Sequence, residues 1–138
     1  MFAALPLLAL PVLFYNVVAL AVYGVSATDA GARMTAQIFT IPMASGVRWS
    51  VGTGDVMIFL SLVILFIELL KSTTSRRIAI INHSLSMILF IICLVEFLLF
   101  KAFATSAFFL LTAMVLLDVL AGFIVTIASS RRDIDIID

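Results

Sequence analysis

Cysteine and histidine are almost absent from this chain. Its 138 residues contain one cysteine, Cys93, and one histidine, His83. A single cysteine forms no internal disulfide, and one histidine does not supply both axial ligands of a bis-histidine haem. The sequence also has no cluster of His, Cys, Asp or Glu with metal-ligand spacing. We therefore expect no metal and no cofactor, and we interpret Cys93 as a small buried side chain.

Charge is also scarce, and neither sign is in excess. Only 12% of the residues are charged, and eight basic residues balance eight acidic ones. Zero net charge creates no field that would attract nucleic acid, so we expect no nucleic-acid partner. Catalytic motifs are missing as well, because Gly52 to Gly54 lacks the lysine of a phosphate loop and no serine lies in a Gly-x-Ser-x-Gly motif. We do not expect an enzyme.

Most residues of the chain are apolar. The chain is 64% hydrophobic, with a mean hydropathy of +1.32, and a membrane-spanning helix needs about 20 mostly apolar residues. We predict an all-α integral membrane protein in which residues 1–138 form one domain, an up-and-down bundle of four transmembrane helices. The four predicted spans are residues 2–23, 54–70, 78–100 and 103–128. The first apolar run exceeds the core of a signal peptide, so we interpret it as a retained span.

Basic residues near the span ends indicate the orientation. One side of the predicted bundle carries five of them: Lys71, Arg76, Arg77, Arg131 and Arg132. The other side carries Arg33, Arg48 and Lys101. By the positive-inside rule, we expect a bacterial inner-membrane protein with both termini in the cytoplasm. Residues 24–53 then form an outward-facing loop or flap, and residues 129–138 form a short cytoplasmic tail.

Residues 37–52 do not have the helical period of the rest of the chain. Apolar side chains alternate with small or polar ones on both sides of residues 44–46, which is typical of β-strands. We predict a short β-hairpin at the outer ends of the helices, with an irregular loop or short interfacial helix as the alternative. One face would carry the apolar residues and would contact a partner: Phe39, Ile41, Met43, Val47, Trp49 and Val51.

Asp118 is the ionisable residue that lies deepest in a predicted span. It is about ten residues from the cytoplasmic end of the fourth span, or roughly 15 Å at helical rise, which is too far for its short side chain to reach water. Gly122, one turn further on, lets another helix approach, so it is a candidate contact residue. We interpret Asp118 as a structural polar clamp, and a proton or ion path is the alternative.

Glu68 and His83 are the other intramembrane candidates. Glu68 follows Gly54 and Ser61 at intervals of seven, which forms a stripe of small and polar residues that faces inward or contacts a partner. His83 lies at a depth similar to that of Glu68, so the two side chains are candidates for a proton-handling pair. We favour the other interpretation, in which Glu68 reaches the cytoplasmic interface and a hydrated start of the third span contains Asn82, His83, Ser84 and Ser86. Glu96 is expected at the outer interface, near Lys101.

Two classes of function fit these residues. The first, which we favour, is a structural or accessory subunit in the lipid bilayer that assembles with itself as a homo-oligomer or with a larger membrane complex. The second is a small oligomeric transporter or channel that uses Glu68, His83 and Asp118. Four spans enclose little space, so a pore would require several copies of the chain.

Overall fold

The computed structural model describes residues 5–24, 26–71 and 76–136. Helices dominate, and one small antiparallel sheet accompanies them. In chain order the helices and strands are α1 (Ala9–Val17, continued by a π-helix, Val18–Tyr23), α2 (Ala30–Thr35), β1 (Gln37–Pro42), β2 (Arg48–Gly52), α3 (Thr53–Lys71), α4 (Arg76–Leu99), a 3-10 turn (Lys101–Phe103) and α5 (Ser106–Asp135). The prediction of a helical protein with one hairpin is confirmed at this level.

Three of the helices are long and apolar enough to cross a membrane. They are α3, the segment Ala79–Leu99 of α4 and the segment Ser106–Arg132 of α5. The first predicted span is instead a shorter apolar helix, Ala9–Tyr23. At about 1.5 Å per residue it falls short of a hydrocarbon core about 30 Å thick. The structure therefore supports three spans by length, and it does not confirm a count of four.

Proline sets where α1 begins. Pro11 occupies the first turn of the helix that starts at Ala9, where a missing backbone N–H removes no helical hydrogen bond. The helix ends at Gly24, whose φ of +81° is a backbone conformation that favours glycine. The helix is therefore shorter than the apolar run of residues 2–23 at its beginning, where residues 5–8 are not helical, whereas the two end together at Tyr23.

α5 is the central helix, and both α3 and α4 pack against it. It begins after Thr105, whose hydroxyl oxygen accepts a hydrogen bond from the backbone N–H of Phe108 and so caps the helix. Its buried face includes Phe108, Leu111 and Val115, each fully enclosed. The apolar face of α5 therefore forms much of the core.

α1 runs along the bundle from one end to the other. At its start, the Lys71 Nζ donates a hydrogen bond to the carbonyl oxygen of Leu5 at 2.6 Å. Further along, the Tyr15 hydroxyl donates to the carbonyl oxygen of Ala102 at 3.0 Å. We call these two ends of the bundle the Lys71 end and the Ala102 end.

The hairpin has the register that its two-residue period predicts. Phe39 lies opposite Val51, and Ile41 lies opposite Trp49. The backbone N–H of Met43 donates to the Val47 carbonyl at 2.9 Å, which closes a three-residue turn. Gly46 completes the turn with a φ of +83°, a conformation that such loops place at their last residue. The predicted apolar residues therefore lie in cross-strand pairs on one face.

The helix α2 lies close to the beginning of α3 and to the 3-10 turn, at the Ala102 end. This packing needs small residues: a Cβ added to Gly54 would lie 3.1 Å from the Met34 carbonyl oxygen and 3.3 Å from the Ala107 Cβ. At the exposed surface of α2, Arg33 Nε lies 2.7 Å from a carboxylate oxygen of Asp29. The hydrogen bond from Arg33 lowers the pKa of Asp29 below its ordinary value.

Candidate functional site

Glu68 is fully buried near the end of α3, and its carboxylate has partners on three segments. One oxygen accepts the backbone N–H of Leu7 at 2.6 Å, and the other accepts the side-chain amide of Asn82 at 2.5 Å. The Lys71 Nζ lies 3.5 Å from the second oxygen, one helical turn further along α3. A buried carboxylate requires partners of this kind. Glu68 thus connects α3 with α4 and with the segment before α1.

Asp118 lies at the contact between α4 and α5. It is 5% exposed, and one of its carboxylate oxygens accepts a hydrogen bond from the Ser86 hydroxyl at 2.5 Å. Ser86 is itself fully buried on α4. The structure therefore places Asp118 against a side chain of its own chain, as a polar clamp between two helices would be placed.

His83 packs against α5 one turn beyond Asp118. Its imidazole meets the ring of Phe123 edge to face, with centroids 4.4 Å apart. A methyl group at Gly122 would overlap the imidazole Nδ1 and would lie 2.8 Å from its Cγ. Among the described residues, neither imidazole nitrogen has a hydrogen-bond partner, and the same holds for the side-chain oxygen of Asn82. Each unsatisfied buried polar atom costs about 1–3 kcal/mol unless something else satisfies it.

These polar side chains meet around a small cavity. Its volume is about 10 Å³, close to the space one water molecule needs. Its lining residues come from α4 and α5: Ala79, Asn82, His83, Asp118, Gly122 and Val125. We call Glu68, Asn82, His83, Ser86 and Asp118 the polar cluster. The three sequence-predicted intramembrane residues, Glu68, His83 and Asp118, all belong to it.

Two members of the polar cluster were not among the candidate site residues. Asn82 and Ser86 were interpreted as part of a hydrated helix start, yet they are 5% and 0% exposed. Ser84, between them, is exposed and donates to the Ile80 carbonyl. The spacing of four between Asn82 and Ser86 puts both on one helical face, which is the signal that would have separated them from Ser84. Asn82, rather than His83, donates the hydrogen bond that Glu68 accepts from α4.

A second group of polar side chains lies toward the Ala102 end. The Tyr15 hydroxyl lies 2.7 Å from the Thr105 hydroxyl, and the Tyr15 ring packs on Phe108. Next to it in sequence, the Asn16 amide donates to a carboxylate oxygen of Glu96 at 3.1 Å. Tyr15 was not among the predicted site residues, since nothing in its own apolar run indicates a partner 90 residues away.

Mostly apolar side chains lie between the two polar groups. Leu111 and Val115 lie between Thr105 and Asp118 along α5, Cys93 lies between Ser86 and Glu96 along α4, and all three are fully buried. Buried Thr112 also lies in this part of α5, where its hydroxyl donates to the Phe108 carbonyl of its own helix. The cluster around the cavity is therefore local to the half of the bundle nearer the Lys71 end.

The predicted partner-contact residues divide into buried and exposed sets. Gly54 and Ser61 are buried on α3, where the Ser61 hydroxyl donates to the Met57 carbonyl at 2.8 Å. Gly122 contacts His83, as described above. On the hairpin, Val51 is buried, whereas five apolar side chains are 38% to 65% exposed: Phe39, Ile41, Met43, Val47 and Trp49. We call these five the hairpin row.

No family model matches this chain, and neither the curated proteins nor the solved structures include a match to it. Function is therefore inferred from the polar cluster and the hairpin row.

Proposed function

We propose that this chain is a four-span inner-membrane accessory subunit, which assembles with itself or with a larger membrane complex through the hairpin row. The observation that carries the proposal is the exposure of five apolar side chains on one face of the hairpin. A lone two-stranded hairpin is marginally stable in water, and a contiguous exposed apolar surface marks a contact site. A partner surface would cover this face.

The two faces of the hairpin differ in chemistry. Thr40 and Ser50 lie opposite each other between the apolar pairs, and the Ser50 hydroxyl donates to the Gln37 side chain at 2.8 Å. This polar face suits water or lipid headgroups, while the hairpin row suits an apolar partner. Because the two faces differ, we expect the partner to contact the face that carries the hairpin row and not the polar face.

The proposed orientation has both termini in the cytoplasm. The hydrogen bond from Lys71 to Leu5 puts the beginning of the described chain beside the end of α3. α4 and α5 are antiparallel, because Ser86 contacts Asp118 and His83, earlier on α4, contacts Gly122, later on α5. α5 therefore ends near the Lys71 end. This arrangement supports placing both termini on the side with the larger number of basic residues.

A matched pair of substitutions on β1 tests the accessory role. We expect Ile41→Ser to release the chain from its complex because it puts a hydroxyl into the apolar contact, whereas Thr40→Ser on the opposite face leaves the complex intact. The measurement is native mass spectrometry after gentle detergent extraction from the source membrane. Recovery of wild-type chain as a bare monomer would contradict the proposal, and so would equal loss of complex in both variants.

A second candidate function is proton handling, because Glu68, His83 and Asp118 gather in one cluster beside a cavity. Ionisable side chains inside membrane helices are rare, and those of Asp, Glu and His form the proton relays of pumps and transporters. We expect purified chain in lipid vesicles to carry a proton flux that Asp118→Asn reduces to the level of protein-free vesicles. Asp29→Asn, at an exposed carboxylate outside the long helices, is the control and should leave the flux unchanged. A wild-type flux equal to that of empty vesicles would rule this candidate out.

A further inference from the structure

We propose that the cavity between α4 and α5 binds one water molecule, which joins the polar cluster into a single hydrogen-bonded chain from Lys71 to Asp118. The proton-handling candidate requires this water, whereas the accessory role does not depend on it. The proposed ligand is water because the cavity volume of about 10 Å³ fits one water molecule.

Three buried polar atoms beside the cavity have no hydrogen-bond partner among the described residues. Asn82 is 5% exposed, and its side-chain oxygen has no partner among the described residues. The two imidazole nitrogens of His83 are buried without a partner in the same part of the chain. Both residues line the cavity. A buried water makes about three hydrogen bonds to otherwise unsatisfied groups, and this site offers Asn82, His83 and Asp118.

The direct contacts among the described residues divide the polar cluster into two hydrogen-bonded parts. On one side, Lys71, Glu68 and Asn82 are connected by the 3.5 Å ion pair and the 2.5 Å hydrogen bond. On the other side, Ser86 donates to Asp118. Asn82 and Asp118 both line the cavity, and His83 lies between them on its wall. A water there connects the two halves and gives Asp118 a hydrogen-bonded route toward the Lys71 end.

Gly122 leaves room for the His83 imidazole at the wall of the cavity. A side chain at this position would overlap the imidazole, since an added Cβ would lie 2.8 Å from the His83 Cγ. Glycine therefore allows His83 to lie against α5 at the cavity wall. The carboxylate of Glu68 on α3 also lies near Asp118, and the Lys71 Nζ lies 3.5 Å from that carboxylate. Water fits this site better than a metal ion, because the described residues include no group of three or more ligand-type side chains.

Because His83 is the only histidine, nitrogen-15 labelling of histidine gives ring signals from this site alone. The experiment is solid-state NMR of the full chain in phosphatidylcholine vesicles, with transfer of magnetisation from water protons to the ring nitrogens. We expect strong transfer that persists when a soluble gadolinium chelate relaxes the bulk water. Absence of transfer in the wild-type chain would overturn the proposal without any variant.

Variants that fill the cavity provide the second test. We expect Gly122→Ala to lose the transfer, and Gly31→Ala to keep it because a Cβ at Gly31 meets nothing within 4 Å. If Gly122→Ala does not fold, Val125→Ile adds one methyl group at the next cavity-lining position along α5 and should also lose the transfer. Transfer equal to wild type in a folded cavity-filling variant would contradict the assignment. The NMR experiment measures water at His83 and not proton flux, so a chain that carries no proton flux could still show the transfer.

Discussion

At the scale of single residues, Glu68 is notable because its carboxylate has partners on three segments. The Glu68 side chain is fully buried, and its two carboxylate oxygens accept hydrogen bonds from the Leu7 N–H and the Asn82 side-chain amide. Removing the carboxylate would leave the Leu7 N–H and the Asn82 amide without acceptors. Glu68 therefore stabilises the packing of three segments whatever further role it has.

We predict that Glu68→Leu lowers the free energy of unfolding by about 1–3 kcal/mol for each donor left unsatisfied. The matched control is Glu96→Leu, where the carboxylate is only partly buried and accepts from the Asn16 amide. That control should show the smaller loss. Equilibrium unfolding in a mild detergent, followed by circular dichroism, measures both, and equal losses would contradict the proposed importance of the Glu68 contacts.

The sequence predicted the identity of the buried ionisable residues but not their partners. Glu68, His83 and Asp118 stand out because ionisable side chains are rare in apolar runs. That Asn82 reaches Glu68, and Ser86 reaches Asp118, depends on the rotation and axial position of α4 against its neighbours. A single chain's periodicity does not specify those two quantities, so the contacts became visible only in the structure.

At the scale of elements, the hairpin and α1 had opposite outcomes. The hairpin was predicted correctly because a period of two and a glycine in the turn are local properties of the chain. The predicted first span, residues 2–23, is longer than the helix because hydropathy shows where the apolar run extends and not where helical backbone begins. Helical backbone begins only at Ala9, with Pro11 in the first turn, and ends at Gly24.

The contact between α2 and the beginning of α3 yields a prediction at this scale. We expect Gly54→Ala to lower the melting temperature, because its Cβ would lie 3.1 Å from the backbone oxygen of Met34 and backbone gives way less easily than a side chain. Gly31→Ala, in open space on α2, should be neutral or stabilising because alanine favours helix. Thermal unfolding of the two variants in the same detergent compares them, and equal melting temperatures would contradict the close approach.

At the scale of the whole molecule, the bundle contains two polar groups separated by apolar packing. The polar cluster lies toward the Lys71 end, whereas Tyr15, Thr105, Asn16 and Glu96 lie toward the Ala102 end. Hydropathy predicted the membrane helices but not this division, because it arises from contacts between helices that are distant in sequence. A path through the whole bundle would have to pass the mostly apolar buried side chains between the two groups, such as Leu111, Val115 and Cys93.

The hydrogen bonds that hold α1 and the segment before it against the bundle have a consequence for biosynthesis. The acceptor of the Leu7 N–H lies 61 residues later in the chain, and the hydroxyl that meets Tyr15 lies 90 residues later. Neither partner has been synthesised when the helix Ala9–Tyr23 leaves the ribosome, and this helix is too short to span a bilayer unaided. The contact of Leu7 with Glu68 therefore waits for the end of α3, and the contact of Tyr15 with Thr105 waits until the residue before α5 has been made.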